Sequence, residues 1–176
     1  LSKLGKNLTY RIHEEPASEN LKDFAMMARA FGFDMPESPT PQDFQEMFEE
    51  ALKTPYGQYL ATAYIRKMRL AIYSPDNIGH YGLAFDFYTH FTSPIRRYPD
   101  VLVHRLLDHY MKGGASVNQK DYEQMCQHST DMEIKASEAE RASVKYKQVQ
   151  YLMDKKSEVF SGIISGVTEW GFYVEI

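Results

Sequence analysis

Apolar residues recur at helical spacing along several stretches of this chain, and residues that start or stop a helix punctuate them. Leu21, Phe24, Ala25, Ala28 and Phe31 share one face, which predicts a helix from Glu19 to Phe31, stopped by Gly32. Pro36-Glu37-Ser38-Pro39 reads as a loop. Thr40-Pro41-Gln42-Asp43 then supplies an N-cap, a proline at the first helical position and an acid at the third. The helix behind it carries Phe44, Met47, Phe48 and Ala51 on one side and reaches about Lys53. Past Pro55-Tyr56-Gly57, a third helix is predicted from Gln58 to Leu70, ending in a basic turn as the helix dipole favours. Pro99 opens a fourth, which Gly113-Gly114 ends after Met111.

Asn118 caps the longest periodic stretch, which runs to about Lys155. Tyr122, Met125, Ser129, Met132, Ala136, Ala139, Ser143, Tyr146, Val149 and Met153 form its repeating face. Many of these are small, so the face is expected to pack closely on another element. At ~1.5 Å per residue such a helix is on the order of 50 Å long, either one strut or two pieces broken by a kink. Extended structure is sparser. Residues 8–13 alternate loosely, Tyr73 to Asn77 is turn-rich, and His80 to Tyr88 is predicted to be a strand with Leu83, Phe85 and Phe87 on one face. From Val159 the pattern turns β-like, and Trp170 to Ile176 reads as a second strand after a tight turn. Two strands make no stable sheet alone, so the chain is expected to stop inside a β domain. The fold class predicted is α+β, mainly helical. No internal repeat or low-complexity segment interrupts it.

Composition changes this picture in a few respects. The 176 residues leave room for one domain and part of another. The lone cysteine, Cys126, excludes an internal disulfide, suits a reducing compartment and reads as a small buried residue. No apolar run approaches the ~20 residues of a membrane span, and the first residues resemble no secretory signal. With no initiator Met, the chain is expected to begin inside a longer, cytoplasmic protein. A net charge of −4 weighs against nucleic acid as a partner. The acids gather in groups such as Glu46-Met47-Phe48-Glu49-Glu50, however, away from Arg66-Lys67-Met68-Arg69 and Arg96-Arg97.

The most informative stretch is His90-Phe91-Thr92-Ser93-Pro94-Ile95-Arg96-Arg97-Tyr98-Pro99-Asp100. Hydroxyls and guanidiniums sit on a proline-stiffened loop that feeds a helix N-terminus. Arginine is a rigid fork of donors matched to phosphate oxygens, and a helix start favours negative charge. That suits a phosphodiester. A structural loop whose arginines pair with surface acids such as Asp100 explains the same residues, and the chemistry alone leaves both readings open.

Tyr73-Ser74-Pro75-Asp76-Asn77-Ile78-Gly79-His80-Tyr81-Gly82-Leu83-Ala84, then the arginine loop, then Val101-Leu102-Val103-His104-Arg105, resembles the ribonuclease II family on its bacterial ribonuclease R branch. Ala139-Glu140-Arg141 fits as well. Gly162 to Glu175 is similar to the opening strands of an OB-fold RNA-binding domain. The likeness runs in order over nearly the whole chain, and its specific part is the arginine loop. It implies an exoribonuclease that degrades single-stranded RNA from the 3′ end to nucleoside 5′-monophosphates, with aspartates holding Mg²⁺. It implies that Arg96, the first of the pair after Ser-Pro-Ile, grips the scissile phosphate, and that Glu140 lies near the terminal nucleotide.

One departure matters. The family's aspartate cluster is expected upstream, and nothing here replaces it. Asp76, Asp86 and Asp100 are widely spaced, and turn or cap roles suit each of them. The six histidines lack ligand spacing, His104 and His109 being five apart. No metal site is therefore expected in this chain, which alone should not hydrolyse RNA. Ser93, Arg97, Tyr98, His104 and Arg105 are candidate substrate contacts. An ion pair with Asp100 competes for Arg97, and packing competes for Tyr98, His104 and Arg105. Arg66, Lys67 and Arg69 suit a channel or a solvated helix end; Trp170 suits an exposed nucleic-acid contact or a buried strand position. Residues 1–156 are expected to be the C-terminal portion of the catalytic (RNB) domain, and 157–176 the truncated start of the OB-fold. Single-stranded RNA and the rest of the catalytic domain are the expected partners, with self-association of the exposed apolar surface and no membrane. The rival is a non-catalytic RNA-binding or scaffolding module from an inactivated family member.

Overall fold

In the computed structural model, which describes residues 5–155 and 158–176, the capping signal at Thr40 forms in full. The Asp43 N–H donates to Thr40 Oγ1 at 3.3 Å, and the Thr40 N–H donates to Asp43 Oδ2 at 2.6 Å. Two orphan donors of the helix start are thus satisfied. The side-chain hydroxyl and the backbone N–H of Thr40 hold the Asp43 carboxyl below its usual range.

The chain is mixed α+β and mainly helical. Strand β1 (Tyr10–Ile12) is followed by α1 (Ser18–Ala30), α2 (Pro41–Ala51), α3 (Gly57–Lys67), β2 (Ile72–Ser74), α4 (Tyr98–Met111), α5 (Gln119–Asp154), β3 (Ile163–Thr168) and β4 (Gly171–Glu175). It divides into two compact units, Leu1–Asp131 and Met132–Ile176. The expected boundary at 156 and 157 lies outside the described residues. Among the described residues no helix is long and apolar enough to cross a membrane.

In the first unit, α1, α2 and α3 enclose a core of Phe24, Ala25, Ala28, Met35, Phe44, Met47, Ala51 and Leu60. Tyr64 sits among the aromatics, its ring centroid 5.0 Å from Phe44 and 5.1 Å from Phe24 and from Phe48. Burial of a side chain such as Phe24 contributes about 2–3 kcal/mol. The turn into α3 needs Gly57: a Cβ there would lie 2.5 Å from the carbonyl oxygen of Ala51, so α2 and α3 meet backbone to backbone.

The segment expected to be a strand, 80–88, is not one. It contains a single turn of 3₁₀ helix, Tyr81–Leu83. The physical reason lies in His13. Its Nε2–H donates to the Arg69 carbonyl at 2.8 Å, while Nδ1 accepts the Gly82 N–H at 3.0 Å. Gly82 lies so close to the ring that a Cβ would stand 2.8 Å from Nδ1. The chain therefore curls around His13 and cannot run extended, and Leu83, Phe85 and Phe87 stay exposed. The turn-rich stretch supplies a strand in its place: β2 pairs antiparallel with β1, Arg11 opposite Tyr73.

Helix α5 is a single helix of 36 residues, so the kinked alternative does not apply. Its N-terminal part buries Cys126, as expected, and Ser129 of the expected face, together with Thr130, while Met125 of that face is exposed. Burial, with Glu123 nearby, pushes the Cys126 thiol up to about 12, as suits an inert core residue. The rest of the expected packing face is not covered: Met132, Tyr146, Val149 and Met153 are exposed. In the second unit β3 and β4 form an antiparallel hairpin with a bulge between Ile164 and Gly166. Trp170 is 95% exposed beside the turn of that hairpin.

Candidate nucleic-acid interface

The arginine loop is held from several directions. At its start the Thr89 hydroxyl donates to the Thr9 carbonyl at 2.8 Å, and the Tyr73 hydroxyl lies 2.8 Å from His90 Nδ1. Next, the ring of Phe91 stacks on His104 at 4.2 Å and 8°, and His104 Nε2–H donates to the Phe91 carbonyl at 2.8 Å. A parallel aromatic pair of this kind is worth about 0.5–1.5 kcal/mol beyond area burial. Beyond Phe91 the chain tightens into a turn in which the Ser93 carbonyl accepts the N–H groups of Arg96 (3.2 Å) and Arg97 (3.0 Å).

Asp100 closes the turn. Its Oδ1 accepts the Ser93 N–H at 2.7 Å and Nη2 of Arg97 at 2.9 Å. Asp100 is wholly buried, which corrects the expectation of a surface acid. Burial alone would raise its pKa. The Ser93 N–H and the Arg97 guanidinium outweigh that and hold it below 3.8. Asp100 also supplies the negative charge in the first turn of α4. The positive end of the helix dipole is therefore already matched by a side chain.

The candidate residues separate accordingly. Arg97 is half-buried on Asp100, the ion pair that competed with its phosphate role. Ser93 is engaged through its backbone. His104 is exposed but committed to Phe91, and His109 donates to the Ala115 carbonyl at 2.9 Å, so the two histidines serve different partners. Arg96, by contrast, is exposed, and its side chain makes no hydrogen bond or ion pair among the described residues. Tyr98 and Arg105 are exposed on α4. Glu140 is exposed on α5, in the second unit. Of the basic residues 66–69, Lys67 pairs with Asp23 and Arg69 with Glu14.

The described residues do not fit a metal. Among the described residues, no group of three or more His, Cys, Asp or Glu side chains is placed to hold an ion. Asp76 accepts a hydrogen bond from Gln119 at 2.6 Å, Asp86 is exposed, and Asp100 is tied to Arg97. What the sequence did not reveal are the anchors: Thr9, Tyr73, His90, Phe91 and the buried Asp100. Asp100 alone is marked in the sequence, as the ion-pair partner that competes for Arg97; its burial is not.

The RNB domain family model matches residues 1–113. Ribonuclease R of Escherichia coli is 35% identical over 181 residues, covering 95% of this chain and 22% of that protein. The chain spans about a quarter of the length of the curated relatives it matches. Ribonuclease R of Mycoplasma genitalium, in complex with ribose-methylated single-stranded RNA, superposes with a TM-score of 0.86 at 26% identity, covering 99% of this chain and 29% of that one. Yeast Ssd1, a pseudonuclease, shares the fold over 74% of this chain and 17% of its own, with a TM-score of 0.55 at 24% identity. On a family match over more than half its length, with relatives named ribonuclease R along nearly all of it, the chain belongs to the RNB-domain (ribonuclease II) family.

Proposed function

We propose that the protein containing this chain is a cytoplasmic 3′-to-5′ exoribonuclease that hydrolyses single-stranded RNA to nucleoside 5′-monophosphates. This chain supplies the arginine side of the active site. The observation that carries the reading is the contrast between neighbouring guanidiniums: Arg97 is spent on a buried carboxylate, while Arg96 stands exposed on a loop braced by Thr9, Tyr73, His104 and Asp100. A braced loop with one unspent fork of donors is pre-organised for a phosphate, and donors aimed at developing charge lower the barrier most. The resemblance of the loop to ribonuclease R, and the RNA bound by the Mycoplasma relative, support the same reading.

The whole enzyme would work with Mg²⁺ held by aspartates outside this chain. Glu140 would lie near the terminal nucleotide, and Tyr98 and Arg105 are the remaining exposed candidates for RNA contact. The hairpin β3–β4 would open an OB-fold RNA-binding barrel. In the full-length protein, Arg96→Ala should lower turnover roughly 10²–10³-fold, the usual cost of losing a transition-state donor, with a smaller change in RNA affinity. Equal losses in the two would reduce Arg96 to a general binding residue. The isolated chain should release no nucleotide from single-stranded RNA in Mg²⁺, and measurable turnover would contradict the placement of the metal ligands elsewhere. A full-length protein that binds RNA without cleaving it would favour the non-catalytic module.

A further inference from the structure

We propose that Asp100 is a positioning residue for Arg96, fixing the direction in which that guanidinium meets RNA; the proposal rests on the exoribonuclease reading above. Arg96 sits at the end of a tight turn bounded by Ser93 and Arg97. One oxygen of Asp100, Oδ1, bonds both boundary residues, the Ser93 N–H at 2.7 Å and Arg97 Nη2 at 2.9 Å. No other described side chain forms a hydrogen bond to both ends of the turn. Within the turn the Ser93 carbonyl takes the N–H groups of Arg96 and Arg97. Loss of Asp100 thus releases the two ends together, while the anchors at Thr89, His90 and Phe91 remain.

Charge makes the arrangement selective. Adjacent arginines compete for the same anion, and a guanidinium that is already paired leaves the other to bind alone. Asp100 neutralises Arg97 and matches the helix start, so neither draws the phosphate away from Arg96. The contact is also drawn inward: Asp100 Oδ2 and Arg97 Nε are both buried without a partner among the described residues. Asparagine at position 100 keeps the shape and one acceptor but removes the charge that holds Arg97.

The test is a double-mutant cycle in the full-length enzyme, with single-turnover cleavage of a labelled single-stranded RNA and RNA affinity measured separately. Asp100→Asn should lower turnover roughly ten-fold or more, as a misplaced catalytic contact does, while affinity stays within about two-fold. In an Arg96→Ala background the same substitution should change turnover by less than about two-fold, because its effect passes through the missing side chain. Equal losses in both backgrounds, or an affinity loss matching the turnover loss, would overturn the assignment. Arg97→Lys, which keeps the charge and loses the fork, gives the same readout should Asp100→Asn fail to fold; full turnover in that variant also overturns it. A slow Arg96→Ala beside a fast Asp100→Asn sinks only the role of Asp100. An Arg96→Ala enzyme with undiminished turnover sinks the reading of Arg96 itself, and this proposal with it.

Discussion

Nη2 of Arg97 lies 2.9 Å from Oδ1 of Asp100, and that carboxylate has no exposed surface. A neighbouring pair of arginines, alike in sequence, is thereby divided into a half-buried structural partner and an exposed cation with no partner among the described residues. Stability and function should follow different members of the pair.

Asp100→Ala strands the half-buried Arg97 guanidinium and frees the Ser93 N–H. Removing one partner of a buried pair costs about 3–5 kcal/mol, and equilibrium urea unfolding of the chain should show a loss on that scale. Arg96→Ala touches an exposed side chain without partners among the described residues and should stay within about 0.5 kcal/mol of the parent. Similar losses from the two substitutions would contradict the division.

Acid should act through the same carboxylate. Burial pushes Asp100 up, but the Ser93 N–H and Arg97 leave it below 3.8. A carboxyl depressed in the fold contributes stability that is complete above its unfolded pKa and lost as pH falls through its folded value. The stability advantage over Asp100→Asn should therefore shrink as pH falls through the carboxylate range, and a change at higher pH reports His90, whose charge also lowers the Asp100 pKa. Urea unfolding across a pH series checks this, and an advantage that grows on acidification would contradict it.

Thr130 ties α5 to the small sheet: its hydroxyl accepts the buried Tyr73 N–H at 3.0 Å and donates to the Cys126 carbonyl at 3.0 Å. Thr130→Val keeps the volume and removes the hydroxyl that accepts the Tyr73 N–H, at a cost of about 0.5–1.5 kcal/mol. Thr130→Ser should retain most of the stability. Thermal unfolding of both variants separates the hydrogen bond from packing, and an equal loss in the serine variant would assign the effect to the methyl group.

The parts legible in the sequence are those set by local chemistry. Thr40, Pro41 and Asp43 announce a helix start that forms as read, and the spacing of Phe24, Ala25 and Ala28 marks the face that is buried. The hairpin β3–β4 also falls where alternation and a turn place it. The parts that failed depend on distant residues. Alternating Leu83, Phe85 and Phe87 look like one side of a strand, yet His13, far earlier in the chain, bends that backbone through Gly82. Strand β2 exists because β1 pairs with it across α1, α2 and α3. In the site, the sequence singled out Arg96 and left the partner of Arg97 open. Asp100 reaches back seven residues to Ser93, a contact that no helix or strand periodicity signals.

The parallel stack of Phe91 on His104, 4.2 Å between ring centroids, joins the start of the loop to the second turn of α4. The Tyr73 hydroxyl from β2 meets His90 on the same flank, so a strand and a helix both hold the N-terminal side of the loop. Under the proposed RNA-binding role, a loop tied to α4 in this way has less freedom to lose when a polynucleotide docks, so more of the contact energy is kept as affinity.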